Sequence, residues 1–380
     1  METVLRNTPL IDGHNDLITH FVDCRVCPRD LDAYNIGGRT EGRTDIPRWR
    51  EGRIGAQLLN AGWVTGSEDA DGTLQGFDLV TRLVERHGGH LTLATSAAEV
   101  RQAHAAGKIA IVLALENPRR FQNSPVLVRQ YARLGLRSNI LAYDEGSDLA
   151  DGAAGPRRHG GLSEVGREIV KAMNRAGVLV DLSHASYETV HDVLDIAAAP
   201  VIFSHSSARA LADVARNVPD DVLRRLPDNG GIIMISFVDV YTTRPAASWL
   251  GRYEATEALL KEQLRGDTHA LDLQMEAWER EHPPPRVTVA DVADHFDHVR
   301  RVAGVDHIGI GSDFEGDPSI IEGLEDVSKY PNLLLELARR GWSEEDLRKV
   351  VGENFLRVLE VAERVAAEQG YAPDGASRRG

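Results

Sequence analysis

Six side chains able to bind a cation or move a proton stand at the ends of short apolar runs. They are His14 and Asp16 in Ile11-Asp12-Gly13-His14-Asn15-Asp16, Glu116 after Leu115, His184 in Asp181-Leu182-Ser183-His184, His205 in Phe203-Ser204-His205, and Asp313 in Gly311-Ser312-Asp313. In an extended strand His14 and Asp16, two apart, point to the same face. An imidazole and a carboxylate converging from one edge suit a zinc-like dication. Any one of these residues alone reads as an ordinary strand end. Together they exceed the three protein ligands and one water of a single catalytic zinc, and they suit two metals sharing a carboxylate. Three carboxylates gathered without a cation would also repel one another and raise their own pKa values.

The elements that must position them form a regular series. Eight apolar, β-branched-rich runs are expected strands: 9–16, 54–61, 108–116, 136–143, 178–184, 200–205, 231–237 and 307–313. Continuous apolar stretches such as Ile109-Ala110-Ile111-Val112-Leu113-Ala114-Leu115 suit parallel strands buried on both faces. Helical periodicity separates most of them, over 77–87, from the apparent capping box Ser96-Ala97-Ala98-Glu99 onward, and over 163–176, 187–197 and 288–303. This alternation predicts an α/β fold, a closed (β/α)8 TIM-like barrel, whose site lies at the C-terminal ends of the strands. Long loops follow strand one (23–53) and strand seven (238–286, with a charged helical segment over 253–281). Extra C-terminal helices are expected from Ser343 and over 354–368. The whole is read as one unit, 1–368, with a flexible polar tail, 369–380.

Composition narrows the partners. The 380 residues are 42% hydrophobic and 27% charged, enough for a large core. A net charge of −15 argues against nucleic acid and anionic membrane surfaces. No apolar run approaches the roughly 20 residues that span a bilayer, and the first residues do not read as a signal peptide. The expectation is a soluble, cytoplasmic protein. Cys24 and Cys27 lack the second pair that a structural zinc site needs, and they read as incidental thiols ahead of a redox pair.

At this point the chain resembles the membrane (renal) dipeptidase family, a branch of the amidohydrolase-like metal barrels. The matching stretches include Asp12-Gly13-His14-Asn15-Asp16-Leu17, Leu115-Glu116-Asn117, Asp148-Leu149-Ala150-Asp151-Gly152 and Asp181-Leu182-Ser183-His184. Phe203-Ser204-His205-Ser206-Ser207-Ala208, Arg216-Asn217-Val218-Pro219-Asp220 and Gly309-Ile310-Gly311-Ser312-Asp313-Phe314 follow in family order. The resemblance implies hydrolysis of a small dipeptide-like substrate at two zinc ions through a metal-bridging hydroxide. It implies His14 and Asp16 on one zinc, His184 and His205 on the other, and Glu116 between them. It further implies Asp313 as proton carrier and Arg216 as partner of the substrate carboxylate, a task that suits a planar guanidinium. Homodimerisation is an expectation carried by the resemblance alone.

One departure stands out. The family usually has histidine at the end of strand four, where it contacts the scissile carbonyl; here Tyr143 takes that place, in Ala142-Tyr143-Asp144-Glu145. A phenol donates a hydrogen bond but carries no positive charge. That leaves room for another reaction on the same barrel, on an N-acyl amino acid, a lactam or a biosynthetic intermediate. A catalytically silent metal scaffold is the rival of a different kind, and the intact Asp313 argues against it. Asp144, Glu145 and Asp148 could favour a cationic substrate group such as a free amine, with a solvated acidic loop the plainer reading. His20, His87, His104, His159, His191, His295, His298 and His307 read as residues outside the site.

Overall fold

The computed structural model describes residues 2–23, 29–62 and 69–370. Cys24 and Cys27, and the tail from residue 371, lie outside the described residues. Among the described residues nine parallel strands form: β1 (Leu10–Asp12), β2 (Ile54–Asn60), β3 (Leu91–Leu93), β4 (Ile109–Leu115), β5 (Leu136–Ile140), β6 (Leu179–Asp181), β7 (Ile202–Ser206), β8 (Ile232–Ile235) and β9 (Ile308–Ile310). Pairing runs β2-β1-β9-β8-β7-β6-β5-β4, and β2 pairs back to β4, closing an eight-stranded barrel. The short β3 is the strand that hydrophobic patterning does not reveal. It pairs with the first half of β4 (Leu91 opposite Ile109), on the side that β5 takes over from Leu113 onward. Three residues carry too little periodicity to signal a strand.

Inside the barrel pack Ile11, Ala56, Leu58, Ala110, Val112, Ala114, Leu179, Ile202, Ile232 and Met234, all buried. Met234 needs room from its neighbours: a Cβ at Gly13, Gly309 or Gly311 would collide with its side chain. The helix Asn354–Glu368, bounded as expected, presents Phe355, Leu356, Val358, Leu359 and Ala362 to this core. Asn354 donates to the carbonyls of Val305 and Ile308 (both 2.8 Å), satisfying backbone at the start of β9.

Between the strands the helices Ala70–Arg86, Ala97–Ala105, Glu164–Ala176, Tyr187–Ile196 and Val289–Val302 occupy the expected places. At Ser96 only half of the capping box forms. Its side chain accepts from the Glu99 amide, while the Glu99 carboxylate turns to the Thr95 amide at 2.6 Å. The helical segment expected over 253–281 is instead two helices, Arg244–Leu264 and Thr268–Glu281, reversed at Arg265-Gly266 through left-handed backbone (φ 45° and 95°). Among the described residues no helix is long and apolar enough to cross a membrane.

Apart from β7, the strands end earlier than their apolar runs suggest. β6 stops at Asp181 and β9 at Ile310, so His184 and Asp313 lie three residues past the sheet. Side chains replace the ladder there. Asp181 Oδ1 accepts from the amides of Ser183 and Ser204, both at 3.0 Å, and Asp12 Oδ1 accepts from the Ser312 amide at 2.7 Å. His184 and Asp313 both then adopt φ of +67°, a region that non-glycine residues seldom enter. The turn aims each side chain over the barrel mouth.

Candidate metal centre

The rim brings the six residues together. Glu116, the first residue past β4, stands between the two histidine groups. Its Oε1 lies 2.9 Å from His184 Nε2 and 3.0 Å from His205 Nε2, while its Oε2 lies 3.6 Å from His14 Nε2. Asp16 Oδ2 is 3.1 Å from His14 Nε2, and Asp313 Oδ1 is 4.0 Å from the same nitrogen. His14, Glu116 and His205 offer donor atoms within 4.8 Å of one another, and so do His14, Asp16 and Asp313.

The surrounding contacts fix which atoms face the centre. His184 Nδ1 is 2.8 Å from Asp144 Oδ1, so an ionised Asp144 draws the ring proton to Nδ1 and leaves the Nε2 lone pair pointing inward. His205 Nδ1 is held by Ser204 Oγ at 2.7 Å. The two Nε2 atoms face each other at 3.0 Å beside a carboxylate oxygen, an arrangement that invites a cation. Asn60, closing β2, donates to Asp16 Oδ1 (2.7 Å) and Glu116 Oε2 (3.2 Å) and so holds the two carboxylates in register. Asp12, buried beneath, accepts from Ser312, Gln57 and Tyr330, tying β1 to β2 and β9.

Asn60 and Asp144 join the residues expected at the site. Asn60 sits at a strand end like the others, but its uncharged amide gives no sign of a metal-site role. Asp144 belongs to the loop read as solvated; it is partly exposed, yet one oxygen orients a candidate ligand.

Electrostatics accord with a cation site. Burial alone would lower the pKa of His14, yet Glu116 and Asp16 outweigh it and hold the imidazole well above its ordinary value. Burial, then the positive charges of His14 and Arg216, keep His205 far below its usual value and therefore neutral. Burial would raise Glu116, but His14 above all holds it ionised. Asp313 is pushed well up by burial, and the carboxylates of Glu116 and Asp16 add to the rise. One imidazolium thus answers several crowded carboxylates, a charge imbalance that divalent cations would relieve.

Arg216 lies 8% exposed beside this cluster. Its Nη1 donates to Ser206 Oγ at 2.6 Å and its Nη2 to the His205 carbonyl at 2.8 Å, while its buried Nε has no partner. Its guanidinium sits over the Tyr241 ring at 5.6 Å. Tyr143 follows β5 and stacks on His184, ring centroids 4.4 Å apart and 21° off parallel. Burial, then Glu116, Asp144, Asp313 and Asp16, push its hydroxyl far up, so it is a neutral donor. His159 and His307 lie elsewhere, bonded to the carbonyls of Ser147 and Gly231. His20 is tied to Glu315 at 2.8 Å, joining the loop after β1 to the one bearing Asp313.

Gly316 is a further determinant that residue chemistry could not disclose. A Cβ there would fall well inside van der Waals contact of Asp16 Oδ2 and Asp313 Oδ1. Gly316→Ala should therefore displace both carboxylates and lower kcat by roughly 10²-fold, the scale expected of a shift near 1 Å. Circular dichroism should be unchanged. Wild-type kinetics in the variant would mean that the mouth tolerates the extra atom.

Comparison with known proteins places the chain in a family. The family model for membrane dipeptidase (Peptidase family M19) matches residues 1–371. Dipeptidase tcpJ of Claviceps purpurea (strain 20.1) is 36% identical over 377 residues, covering 94% of this chain and 78% of that protein. Dipeptidase 3 of Rattus norvegicus is 35% identical over 379 residues, covering 97% of this chain and 68% of that protein. Among solved structures, the probable dipeptidase PvdM from Pseudomonas aeruginosa gives a TM-score of 0.82 at 24% identity, covering 96% of this chain and 98% of that one. A metallo peptidase from Rhodobacter sphaeroides, liganded with a phosphinate mimic of the dipeptide L-Ala-D-Ala, gives 0.75 at 22% identity, covering 94% and 99%. With a family match along nearly its whole length, the chain belongs to the membrane dipeptidase family of metal-dependent peptidases.

Proposed function

We propose that the chain is a binuclear zinc dipeptidase that hydrolyses the amide bond of a dipeptide or dipeptide-like substrate. His14 and Asp16 would hold one zinc, His184 and His205 the other, with Glu116 shared. The observation that carries this is the division of the Glu116 carboxylate, one oxygen 2.9 and 3.0 Å from the second histidine pair, the other 3.6 Å from His14. Bound there, two cations would supply hydroxide near neutral pH and Lewis acidity toward the scissile carbonyl.

The other roles fall to the chain itself. Asp313 would accept the proton of the attacking water on Oδ1 and return it to the leaving amine. Arg216, with Nε unpaired, would bind the substrate's terminal carboxylate. The Tyr143 hydroxyl would donate to the carbonyl oxygen as it gains charge. The phosphinate mimic of a dipeptide bound by the Rhodobacter sphaeroides neighbour supports the substrate class.

Tyr143 also favours a second reading, the same barrel acting on an N-acyl amino acid, lactam or pathway intermediate. An uncharged phenol offers less to a developing oxyanion than an imidazolium would. The test is metal analysis joined to a substrate screen. Purified protein should carry close to two zinc equivalents and release amino acids from dipeptides, and a chelator should abolish turnover until zinc is restored. Full dipeptidase activity in metal-free protein would end the proposal; turnover of N-acyl amino acids alone would favour the second reading.

A further inference from the structure

Arg216 rides on a loop whose two ends are gripped from outside the barrel by a single helix. Ala208 and Val218 lie side by side: the Arg209 amide donates to the Val218 carbonyl at 2.9 Å and the Val218 amide to the Ser207 carbonyl at 2.8 Å. The segment between them closes into a compact loop. Helix Val289–Val302 runs behind it. His295, wholly buried, accepts from the Ala208 amide on Nδ1 at 3.0 Å. One turn later His298 Nε2 lies 2.7 Å from Asp220 Oδ1, just past the other end of the loop.

The second nitrogen of His295 reaches a different loop. Its Nε2 donates to the Thr242 carbonyl at 2.8 Å, in the short helix Asp239–Thr242 after β8, which carries Tyr241. Tyr241 is the ring beneath the Arg216 guanidinium. Asn217 adds a parallel tie, its Nδ2 donating to the carbonyls of Ala212 and Tyr241, each at 2.9 Å. Thus the guanidinium and the ring that supports it sit on separate loops, and one imidazole bonds both.

We propose that His295 is a positioning residue for the substrate-carboxylate pocket, fixing the Arg216 loop against the Tyr241 loop through its two ring nitrogens. The proposal rests on the reading of Arg216 as the carboxylate partner. A neutral imidazole is what this needs, one nitrogen accepting and the other donating. Burial lowers the His295 pKa to about 4, so the ring stays neutral in the working range. Losing either bond leaves a buried backbone group unpaired and frees one loop to drift.

The experiment compares a dipeptide with its C-terminal amide, which lacks the carboxylate, in the zinc-loaded enzyme. Wild type should favour the dipeptide. His295→Gln and His295→Asn each keep one of the two bonds. Either should raise KM for the dipeptide roughly 10-fold with kcat little changed, and shrink the dipeptide-to-amide preference by a similar factor. Zinc content should be unaffected. His298→Asn, releasing only the Asp220 end, should move the same ratio less far and serves if the His295 variants do not fold. A preference that survives in these variants overturns the inference and leaves the Arg216 reading intact. Absence of preference in wild type overturns the Arg216 reading, and the inference with it.

Discussion

Asp313→Asn should reduce kcat by roughly 10²–10⁴, the range for removing a general acid–base, with KM and metal content near those of wild type. The substitution is isosteric, and Asn shares with Asp a tolerance for the left-handed backbone found at this position, φ +67°. What changes is proton capacity: the amide cannot take a proton from the attacking water or deliver one to the amine. Asp313 stands close enough to the His14–Asp16 pair to be a ligand instead, since donor atoms of all three lie within 4.8 Å of one another. Metal analysis therefore decides the matter. Loss of one equivalent with activity would make Asp313 a ligand and remove it from the proton path; full kcat at full metal content would leave it with no role.

The order of strands and the residues at their ends were legible because a barrel repeats one simple pattern eight times. Continuous apolar runs marked parallel strands, and the architecture then dictated which end would hold chemistry. The convergence of Glu116 with His14, Asp16, His184 and His205 follows from that rule. Side-chain direction does not. His184 and Asp313 reach the mouth through turns at positive φ beyond their strands, where the alternation used for His14 and Asp16 has no force. Asn60 carries no charge, and Asp144 looked like one acid among several, so neither residue type announced a task. His295 and His298, read as ordinary helix residues, gain meaning only from the loops they meet, 87 and 78 positions away in sequence.

Tyr143 joins what the sequence raised to what the geometry allows. Stacked on His184 and surrounded by carboxylates, its hydroxyl is held neutral, so it can donate a hydrogen bond but cannot contribute a charge. On the proposed reading, the positive potential at the scissile carbonyl would then come from bound metal and from Arg216. The centre's dependence on its full metal complement should be correspondingly strict.

That dependence makes Glu116→Gln the most damaging single substitution, with activity expected to fall at least roughly 10³-fold, about 4 kcal/mol of transition-state stabilisation. Volume is unchanged, but one carboxylate oxygen becomes an NH2 group with no lone pair to offer. Turned toward His184 and His205, it places a donor where Oε1 now sits 2.9 and 3.0 Å from both Nε2 atoms. Turned the other way, it abandons the His14 side and meets the Asn60 amide, which now donates to Oε2 at 3.2 Å, donor against donor. Neither orientation serves both histidine groups, so if the centre holds two zinc ions as proposed, at least one should be lost, read directly as zinc per chain. Glu116→Asp, which keeps the charge on a shorter stem, should retain more metal than Gln and still turn over slowly. A Gln variant that held two zinc ions and hydrolysed dipeptides at the wild-type rate would mean that the two histidine groups do not share this carboxylate at all.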